Sequence, residues 1–268
     1  MQEKHFNSLS QVVLVLEYDG RAYHGFQWQK GQPTIQASLE EAIFKATSES
    51  RRIIGASRTD TGVHACFQVV SFRTGSQLDA VTLQRALNYY LPVDIAVKAA
   101  GRVEGDFHVR RDAISREYVY TINNSPVRAP LLQGFALHVP YQLDMVKMNA
   151  ACHELEGEHD LISFASNVGC AVDTRRRIYM ARFVREARML KFYIKADSFL
   201  THQVRNTVGF LLGVGSGKRT IDDLKQVMEG KKAGLAGPAV APCGLCLERV
   251  NYRADLELKY ENIFGKSK

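Results

Sequence analysis

The sequence lacks the features that would place the protein in a membrane or on a secretory route. No stretch comes near the roughly 20 consecutive apolar residues that span a bilayer. The first segment, Met1 to Ser10, is polar and contains no apolar region of the signal-peptide type. We therefore expect a protein without a membrane partner that works in the cytoplasm.

Cysteines are few, and their spacing forms no recognisable framework. The 268 residues include 5 cysteines, and an odd number in a chain of this size does not favour a set of disulfides. Cys243 and Cys246 form a lone C-x-x-C, with neither a second pair nor a histidine at zinc-finger spacing nearby. We expect reduced, partly buried thiols at these positions and no metal site.

Basic residues exceed acidic ones. The chain contains 35 Lys and Arg against 28 Asp and Glu, which leaves a net charge of +7 and a pI near 9.1. Such an excess favours a polyanionic partner, because phosphates attract it at long range. A basic protein kept soluble by its charge is the alternative, and charge alone does not choose between them.

The hydrophobic pattern of the first half predicts the order β-α-β-β-α-β. Branched residues indicate a strand over Val12–Asp19, and apolar residues at helical spacing indicate a helix over Ile35–Thr47. Thr34 and Asp79 stand where N-caps belong, and Asp79 precedes a second expected helix over Ala80–Tyr90. The remaining strands are expected at Arg52–Ala56, Cys66–Arg73 and Asp94–Val103.

The second half repeats this order of strands and helices. Strands are expected at Arg116–Asn123, Arg175–Arg188, Met189–Asp197 and Gly244–Tyr252, and helices over Leu143–Leu155, Gln203–Val214 and Asp222–Glu229. We predict an α+β fold of two ferredoxin-like halves, each a split β-α-β unit whose antiparallel sheet carries helices on one side. The halves would cover residues 1–111 and 112–268, with the active-site cleft between them. The lysine-bearing tail, Lys259 to Lys268, is expected to be solvated.

The sharpest local signal is the segment G-A-S-R-T-D-T-G-V-H-A, from Gly55 to Ala65. It connects two predicted strands, so Asp60 is expected on a loop at the end of a sheet, where functional residues are common. An aspartate before Thr-Gly also has a plain structural explanation, because its side chain often only bonds the backbone of its own turn. This segment by itself leaves both interpretations open.

The segment resembles the catalytic loop of the tRNA pseudouridine synthase A family, whose pattern is G-R-T-D-T-G-V-H-A. The likeness continues over nearly the whole chain in the order of the family. The further matching segments are Tyr18–Gly20, Tyr23–Gln29, Asp106–Arg110, Ser115–Tyr120, Gly157–Asp160, Phe199–Asn206 and Ala241–Leu245. The chain departs from the family pattern without losing a group that the reaction needs, at Ser57, Leu161, Gln203 and Cys243.

The resemblance implies an isomerase that detaches uracil from its ribose, turns the base and reattaches it through carbon, without a metal or other cofactor. Asp60 would be the catalytic nucleophile, with attack on the sugar and attack on the base both open. Burial would raise the pKa of this carboxyl, so an opposite charge is needed nearby. The resemblance assigns Arg205 to that place, and a guanidinium suits it by its fork of donors and permanent charge.

Further residues are expected to contact RNA. By resemblance Tyr118 would stack on the target base, with a purely structural core position as the alternative. Arg58 would assist the flipping of a uridine out of its stem. An aromatic and basic stretch suited to RNA backbone contacts comprises Phe107, His108, Arg110 and Arg111. The implied substrate is tRNA, at positions 38, 39 and 40 of the anticodon stem-loop, and the implied assembly is a homodimer.

Two other functions compete with this one. Asp60–Gly62 spells the D-T-G of aspartic proteases, but those enzymes need two aspartates and are nearly all β, whereas this sequence alternates strands with helices. An RNA-binding module without catalysis would explain the charge. The sequence contains no good match to the signatures of an RNA-recognition motif, and it retains Asp60, Tyr118 and Arg205 together.

Overall fold

The computed structural model describes residues 9–166 and 173–265, and these residues form a mixed α+β fold. By their contacts they divide into two units. The first unit comprises the chain up to Thr61, Ala65–Ile114 and the segment from Val250 onward. The second unit comprises Gly62–His64 and Ser115–Arg249. The segment from Val250 onward belongs to the first unit, which a single boundary near residue 112 does not anticipate.

The first unit contains a four-stranded antiparallel arrangement in the order β4-β1-β3-β2. Its elements are β1 (Ser10–Tyr18), α1 (Ile35–Thr47), β2 (Ile54–Gly55), β3 (His64–Thr74), α2 (Ala80–Tyr90) and β4 (Ile95–Val103). This order is that of the ferredoxin-like split β-α-β, which confirms the predicted fold of the first half.

Local capping explains where both helices begin. The Thr34 hydroxyl accepts a hydrogen bond from the Ala37 N–H at 3.2 Å. The Asp79 carboxylate accepts from the N–H groups of Val81 and Thr82, both at 2.9 Å. Each cap satisfies amide groups that have no partner within the helix, so the two caps start α1 and α2 at the predicted residues.

The chain returns to the first unit with two short helices, α6 (Ala254–Lys259) and α7 (Glu261–Phe264). The prediction of a solvated tail is wrong for these residues, since Ile263 and Phe264 are each only 2% exposed. The backbone of β4 has no side chain at Gly101, and the Ile263 side chain fills that space. The lysines of this segment therefore gave a wrong prediction of its solvent exposure, because they flank apolar residues that pack on the sheet.

The second unit repeats the strand order of the first and adds two strands. Its sheet runs β10-β5-β9-β8-β7, with β6 parallel to β5. Its elements are β5 (Ser115–Asn124), β6 (Leu137–Val139), α3 (Met145–Leu155), β7 (Gly157–Asp160), β8 (Arg175–Glu186), β9 (Met189–Ala196), α4 (Gln203–Gly215), α5 (Ile221–Glu229) and β10 (Leu245–Asn251). The hydrophobic pattern of the sequence did not predict the short strands β6 and β7. Across the described residues, none of the helices is long and apolar enough to cross a membrane.

Candidate active site

Asp60 lies on the loop that connects β2 to β3. Its side chain is half-buried and follows Thr59, which is 6% exposed. The loop leaves a paired strand end, because the Ala56 N–H donates to the Val69 carbonyl oxygen at 2.8 Å. The structure thus places Asp60 on a short loop that emerges from a sheet.

Thr59 is held from two directions within the first unit. Its hydroxyl lies 2.8 Å from the Tyr18 hydroxyl at the end of β1. Its carbonyl oxygen accepts from the Phe26 N–H at 3.0 Å. All three residues are buried, and breaking such a bond leaves a buried polar group unsatisfied at a cost of about 1–3 kcal/mol. The residue before Asp60 therefore has one strongly preferred position.

Gly25 allows the chain to approach Thr59 this closely. Its φ of +84° lies in the left-handed region, which favours glycine. A Cβ at this position would lie 2.7 Å from the Thr59 carbonyl oxygen and 3.2 Å from the Asp60 carbonyl carbon. Any side chain at residue 25 would consequently displace the loop that carries Asp60.

Gln68 fixes the loop at Ser57. The Ser57 N–H donates to Gln68 Oε1 at 3.2 Å, and Gln68 Nε2 donates to the Ser57 carbonyl oxygen at 2.8 Å. Gln68 is fully buried in β3, and its Nε2 also donates to the Tyr18 hydroxyl at 3.4 Å. Tyr18 and Gln68 on neighbouring strands thereby form one hydrogen-bond network that supports residues 57–59.

The residues after Asp60 have fixed contacts within the second unit. Gly62 has a φ of +77°, and a Cβ there would lie 2.9 Å from Pro242 Cγ. His64 Nε2 lies 3.0 Å from the Gly134 carbonyl oxygen. The His64 ring also stacks on Phe135, with the ring centroids 5.0 Å apart. These contacts explain why glycine and histidine follow the aspartate in the motif.

Tyr118 lies in β5 of the second unit and is 6% exposed. Its ring meets the Phe199 ring edge-on, with the centroids 5.2 Å apart and an interplanar angle of 89°. Two residues further, Tyr120 is fully buried and its hydroxyl donates to the Ala241 carbonyl oxygen at 2.6 Å. Phe199 gives the Tyr118 ring a defined orientation, and its contact with a target base stays a prediction.

Arg205 lies in the first turn of α4 and is half-buried. Its Nε donates to the Val240 carbonyl oxygen at 2.8 Å, which orients the guanidinium. The start of the helix is fixed separately, because Gln203 Oε1 accepts from the Leu200 N–H at 2.8 Å. Arg205 is thus a positioned cation, and its pairing with Asp60 stays a prediction.

Arg58 and Arg110 bring two like charges near one another in the first unit. Partial burial, followed by the charge of Arg58, lowers the pKa of Arg110 below its ordinary value. Both side chains are largely exposed. An anion that binds near both would relieve this repulsion, and phosphate oxygens match the donor fork of a guanidinium. The arrangement suits contact with an RNA backbone.

His108 shapes the turn that carries Arg110 and Arg111. Its Nδ1 accepts from the N–H groups of these arginines at 3.2 and 3.1 Å. Arg111 forms ion pairs with Asp106 at 3.3 Å and Asp112 at 3.2 Å, so its charge is balanced within the segment. The two neighbouring arginines therefore have different surroundings: Arg111 pairs with two carboxylates, whereas Arg110 lies near the charge of Arg58.

Phe107 is 6% exposed and belongs to an aromatic cluster of the first unit. The centroid of its ring lies 5.1 Å from that of Tyr252 and 6.1 Å from that of Phe264. Its carbonyl oxygen accepts from Gln11 Nε2 at 2.6 Å. This placement favours a structural contribution, in which Phe107 anchors the turn of His108 to the core.

A family model described as tRNA pseudouridine synthase matches residues 14–112 and 151–253 of the chain. The chain belongs to the tRNA pseudouridine synthase family. Both matched segments fall on the elements described above, and the first includes the Asp60 loop. Family membership confirms the predicted class of enzyme, an isomerase.

Relatives in this family cover almost the whole chain. The tRNA pseudouridine synthase A of Thermoanaerobacter sp. (strain X514) is 39% identical over 90% of this chain and 99% of its own length. That of Methylacidiphilum infernorum is 41% identical over 91% of this chain and 96% of its own. That of Blochmanniella pennsylvanica is 40% identical over 93% and 96%.

Among solved structures, that of a Cbf5-Nop10-Gar1 complex matches with a TM-score of 0.32 and 12% identity. The match covers 78% of this chain and 56% of the other. A likeness at this level carries no argument about the fold or the site.

Sequence reasoning missed the residues that support the loop of this pseudouridine synthase. Thr59, Gly25 and Tyr18 lie in segments that matched the family pattern, but their contacts join parts of the chain far apart in sequence. Gln68 gave a signal that could have been used. It is a polar residue inside the apolar strand Cys66–Arg73, and a buried polar side chain of this kind must find hydrogen-bond partners.

Proposed function

We propose that this family member converts uridine to pseudouridine at positions 38, 39 and 40 of the tRNA anticodon stem-loop, with Asp60 as the nucleophile. The observation that carries the proposal is the fixed backbone around Asp60. Tyr18, Phe26 and Gln68 hold residues 57–59 through buried hydrogen bonds. A nucleophile presented in one geometry saves the entropy of finding the reactive position.

The chemistry requires an N-glycosidic bond to break and a carbon–carbon bond to form between ribose and uracil C5. The C5 hydrogen then leaves as a proton, and the freed N1 of uracil takes up a proton in its place. The product is therefore an isomer of the substrate, and no redox partner is needed. A carboxylate can attack the nucleoside covalently, and it can also accept a proton during the exchange. Asp60 supplies this group.

Four further side chains complete the proposed site. Arg205 pairs with the Asp60 carboxylate, and the donor fork of its guanidinium orients that carboxylate toward the nucleoside. Tyr118 stacks on the flipped uracil. Arg58 fills the space that the flipped uridine leaves, and with Arg110 it binds backbone phosphate. We further propose a homodimer that acts in the cytoplasm.

The first experiment measures tritium release from an unmodified tRNA transcript labelled at uridine C5, with a chelator present and no cofactor added. Wild-type protein is expected to release tritium, and Asp60→Ala and Asp60→Asn are expected to release none. Asp255→Asn is the matched control, because it removes one exposed carboxylate of the same unit and should retain activity. Release by Asp60→Ala at the wild-type rate would overturn the assignment of the nucleophile.

Two measurements test the finer parts of the proposal. Transcripts in which uridines 38, 39 and 40 are replaced by cytidine one at a time should each lose one equivalent of tritium. If replacing these three uridines left tritium release unchanged and replacing other uridines reduced it, the proposed target positions would be wrong. Sedimentation equilibrium should give twice the chain mass of 30.1 kDa, and a mass of one chain would overturn the homodimer.

A further inference from the structure

A cavity of about 390 Å³ lies within the second unit, between α4 and the segment that precedes β10. Gly209 and Gly213 of α4 line one side, and the stretch Pro238–Val240 lines another. Lys218 and Arg219 also line it. No role described above involves these two cations.

Two glycines make room for the cavity and its arginine. Gly209 and Gly213 are four residues apart, so they share one face of α4. A Cβ at Gly209 would lie 2.9 Å from the Pro238 carbonyl oxygen. A Cβ at Gly213 would lie 3.1 Å from Arg219 Cδ. The stem of Arg219 therefore lies directly against the bare backbone of the helix.

Arg219 is half-buried, and its guanidinium carbon lies 4.4 Å from the centroid of the Phe210 ring. Its backbone N–H donates to the Gly213 carbonyl oxygen at 3.1 Å. Within residues 9–166 and 173–265, its guanidinium forms neither a hydrogen bond nor an ion pair. A guanidinium offers five N–H donors, so one that is held in place without acceptors is ready to bind an external anion.

The cavity lining around Arg219 is positive and partly aromatic. Lys218 is exposed, and its Nζ lies 6.0 Å from the centroid of the Tyr141 ring, which also lines the cavity. Tyr141 is 46% exposed. None of the described lining residues is an aspartate or glutamate. Asp223 does not line the cavity, but it lies near enough to interact with Arg219. Hydrogen bonds from Thr220, including its N–H at 2.7 Å, and then the charge of Arg219 lower the pKa of the Asp223 carboxyl.

We propose that this cavity is a binding site for an RNA backbone phosphate, held by Arg219 and Lys218, with Tyr141 offering a ring to the adjoining nucleoside. The proposal rests on the proposed function, since it takes tRNA as the substrate. The exposed aromatic ring beside two cations favours a nucleotide over a free anion. Arg205 and Gly213 are eight residues apart on the same face of α4, about 12 Å along its axis. The site would extend the substrate contacts of α4 along that face.

The test compares tRNA binding by Lys218→Gln, Arg219→Gln and the double variant across a range of salt concentrations. Each single change is expected to weaken binding about 5- to 10-fold and to reduce the slope of log Kd against log salt by about 1. Tyr141→Leu should weaken binding and leave the slope unchanged, because it removes no charge. Arg188→Gln is the matched control on the exposed β8–β9 turn and should change neither quantity.

The outcomes separate this site from the proposed function. Unchanged affinity and slope in the folded double variant would overturn the site, and the two cations would then only stabilise the C-terminal end of α4. Arg219→Lys retains the positive charge but lacks the donor fork of the guanidinium, so it should bind tRNA with intermediate affinity. This variant shows whether the loss in Arg219→Gln comes from the missing charge or from a folding defect. Thermal stabilisation of wild type but not Arg219→Gln by inorganic phosphate, with tRNA binding unchanged, would also overturn it. Failure of wild type to bind tRNA would instead refute the proposed function.

Discussion

The Tyr18 hydroxyl lies 2.8 Å from Thr59 Oγ1, and Thr59 immediately precedes the candidate nucleophile. Tyr18 ends β1, and it is only 3% exposed. The bond ties a central strand of the first unit to the loop that carries Asp60. Tyr18 is therefore a positioning residue, which should affect the reaction through the loop.

Tyr18→Phe is expected to lower kcat about tenfold and to leave KM for tRNA nearly unchanged. The change removes the buried hydrogen bond to Thr59 and the weaker one that the Tyr18 hydroxyl accepts from Gln68. The small loop displacement that follows is costly for a group that must meet its target closely. Single-turnover tritium release measures the effect. Tyr23→Phe is the control, because it also removes a buried tyrosine hydrogen bond of the same unit, to Asp94 at 2.6 Å. An equal fall in kcat for both variants would contradict the positioning role.

Gly25→Ala is expected to destabilise the protein by about 2–4 kcal/mol and to reduce activity strongly. The left-handed φ disfavours alanine by about 1–2 kcal/mol, and the new Cβ would press on the Thr59 carbonyl oxygen. Gly31→Ala separates these contributions, because Gly31 has a φ of +72° with no atom near its Cβ position. Urea denaturation and tritium release should show that Gly31→Ala loses only the smaller amount of stability and remains active.

Arg110→Gln is expected to weaken tRNA binding about tenfold. The change removes one of two neighbouring cations that would hold backbone phosphate, since the charge of Arg58 already helps to lower the pKa of Arg110. Arg111→Gln should have a smaller effect on binding, because Asp106 and Asp112 already balance that charge. Equal losses of affinity for the two variants would contradict a special role for the Arg58 and Arg110 pair.

The free energy of unfolding is expected to fall as the pH rises above about 10, partly because of Tyr23. Burial, and then the hydrogen bond to Asp94, raise the pKa of Tyr23 above its ordinary value. The unfolded chain loses this proton first, so stability that is fully present below pH 10 declines by up to about 1.4 kcal/mol per pH unit. Denaturation of Tyr23→Phe between pH 9 and 11 should show a shallower decline. Tyr89→Phe, at an exposed tyrosine, should follow the wild type.

Elements set by neighbouring residues could be predicted from the sequence. The helices Ile35–Thr47 and Ala80–Tyr90 have the predicted bounds, because capping side chains and helical periodicity act within a few residues. The loop carrying Asp60 was found in the same way, between two strands of apolar pattern. The family resemblance added the roles of its residues.

Contacts between distant parts of the chain could not be predicted. The two hydrogen bonds between the Gln68 side chain and the Ser57 backbone depend on the register of two strands. The closeness of Gly25 to Thr59 depends on how a whole loop folds. Phe107 illustrates the same limit. Its place in a basic stretch suggested an RNA contact, whereas its surroundings depend on Tyr252 and Phe264, far along the chain.

The return of the chain to the first unit has a consequence for how the protein folds during synthesis. The second unit is nearly continuous in sequence, from Ser115 to Arg249, so it can fold as soon as that stretch has left the ribosome. The first unit begins earlier in the chain, yet its aromatic cluster stays incomplete until Tyr252, Tyr260 and Phe264 emerge. The half that is synthesised first is therefore the half that is finished last.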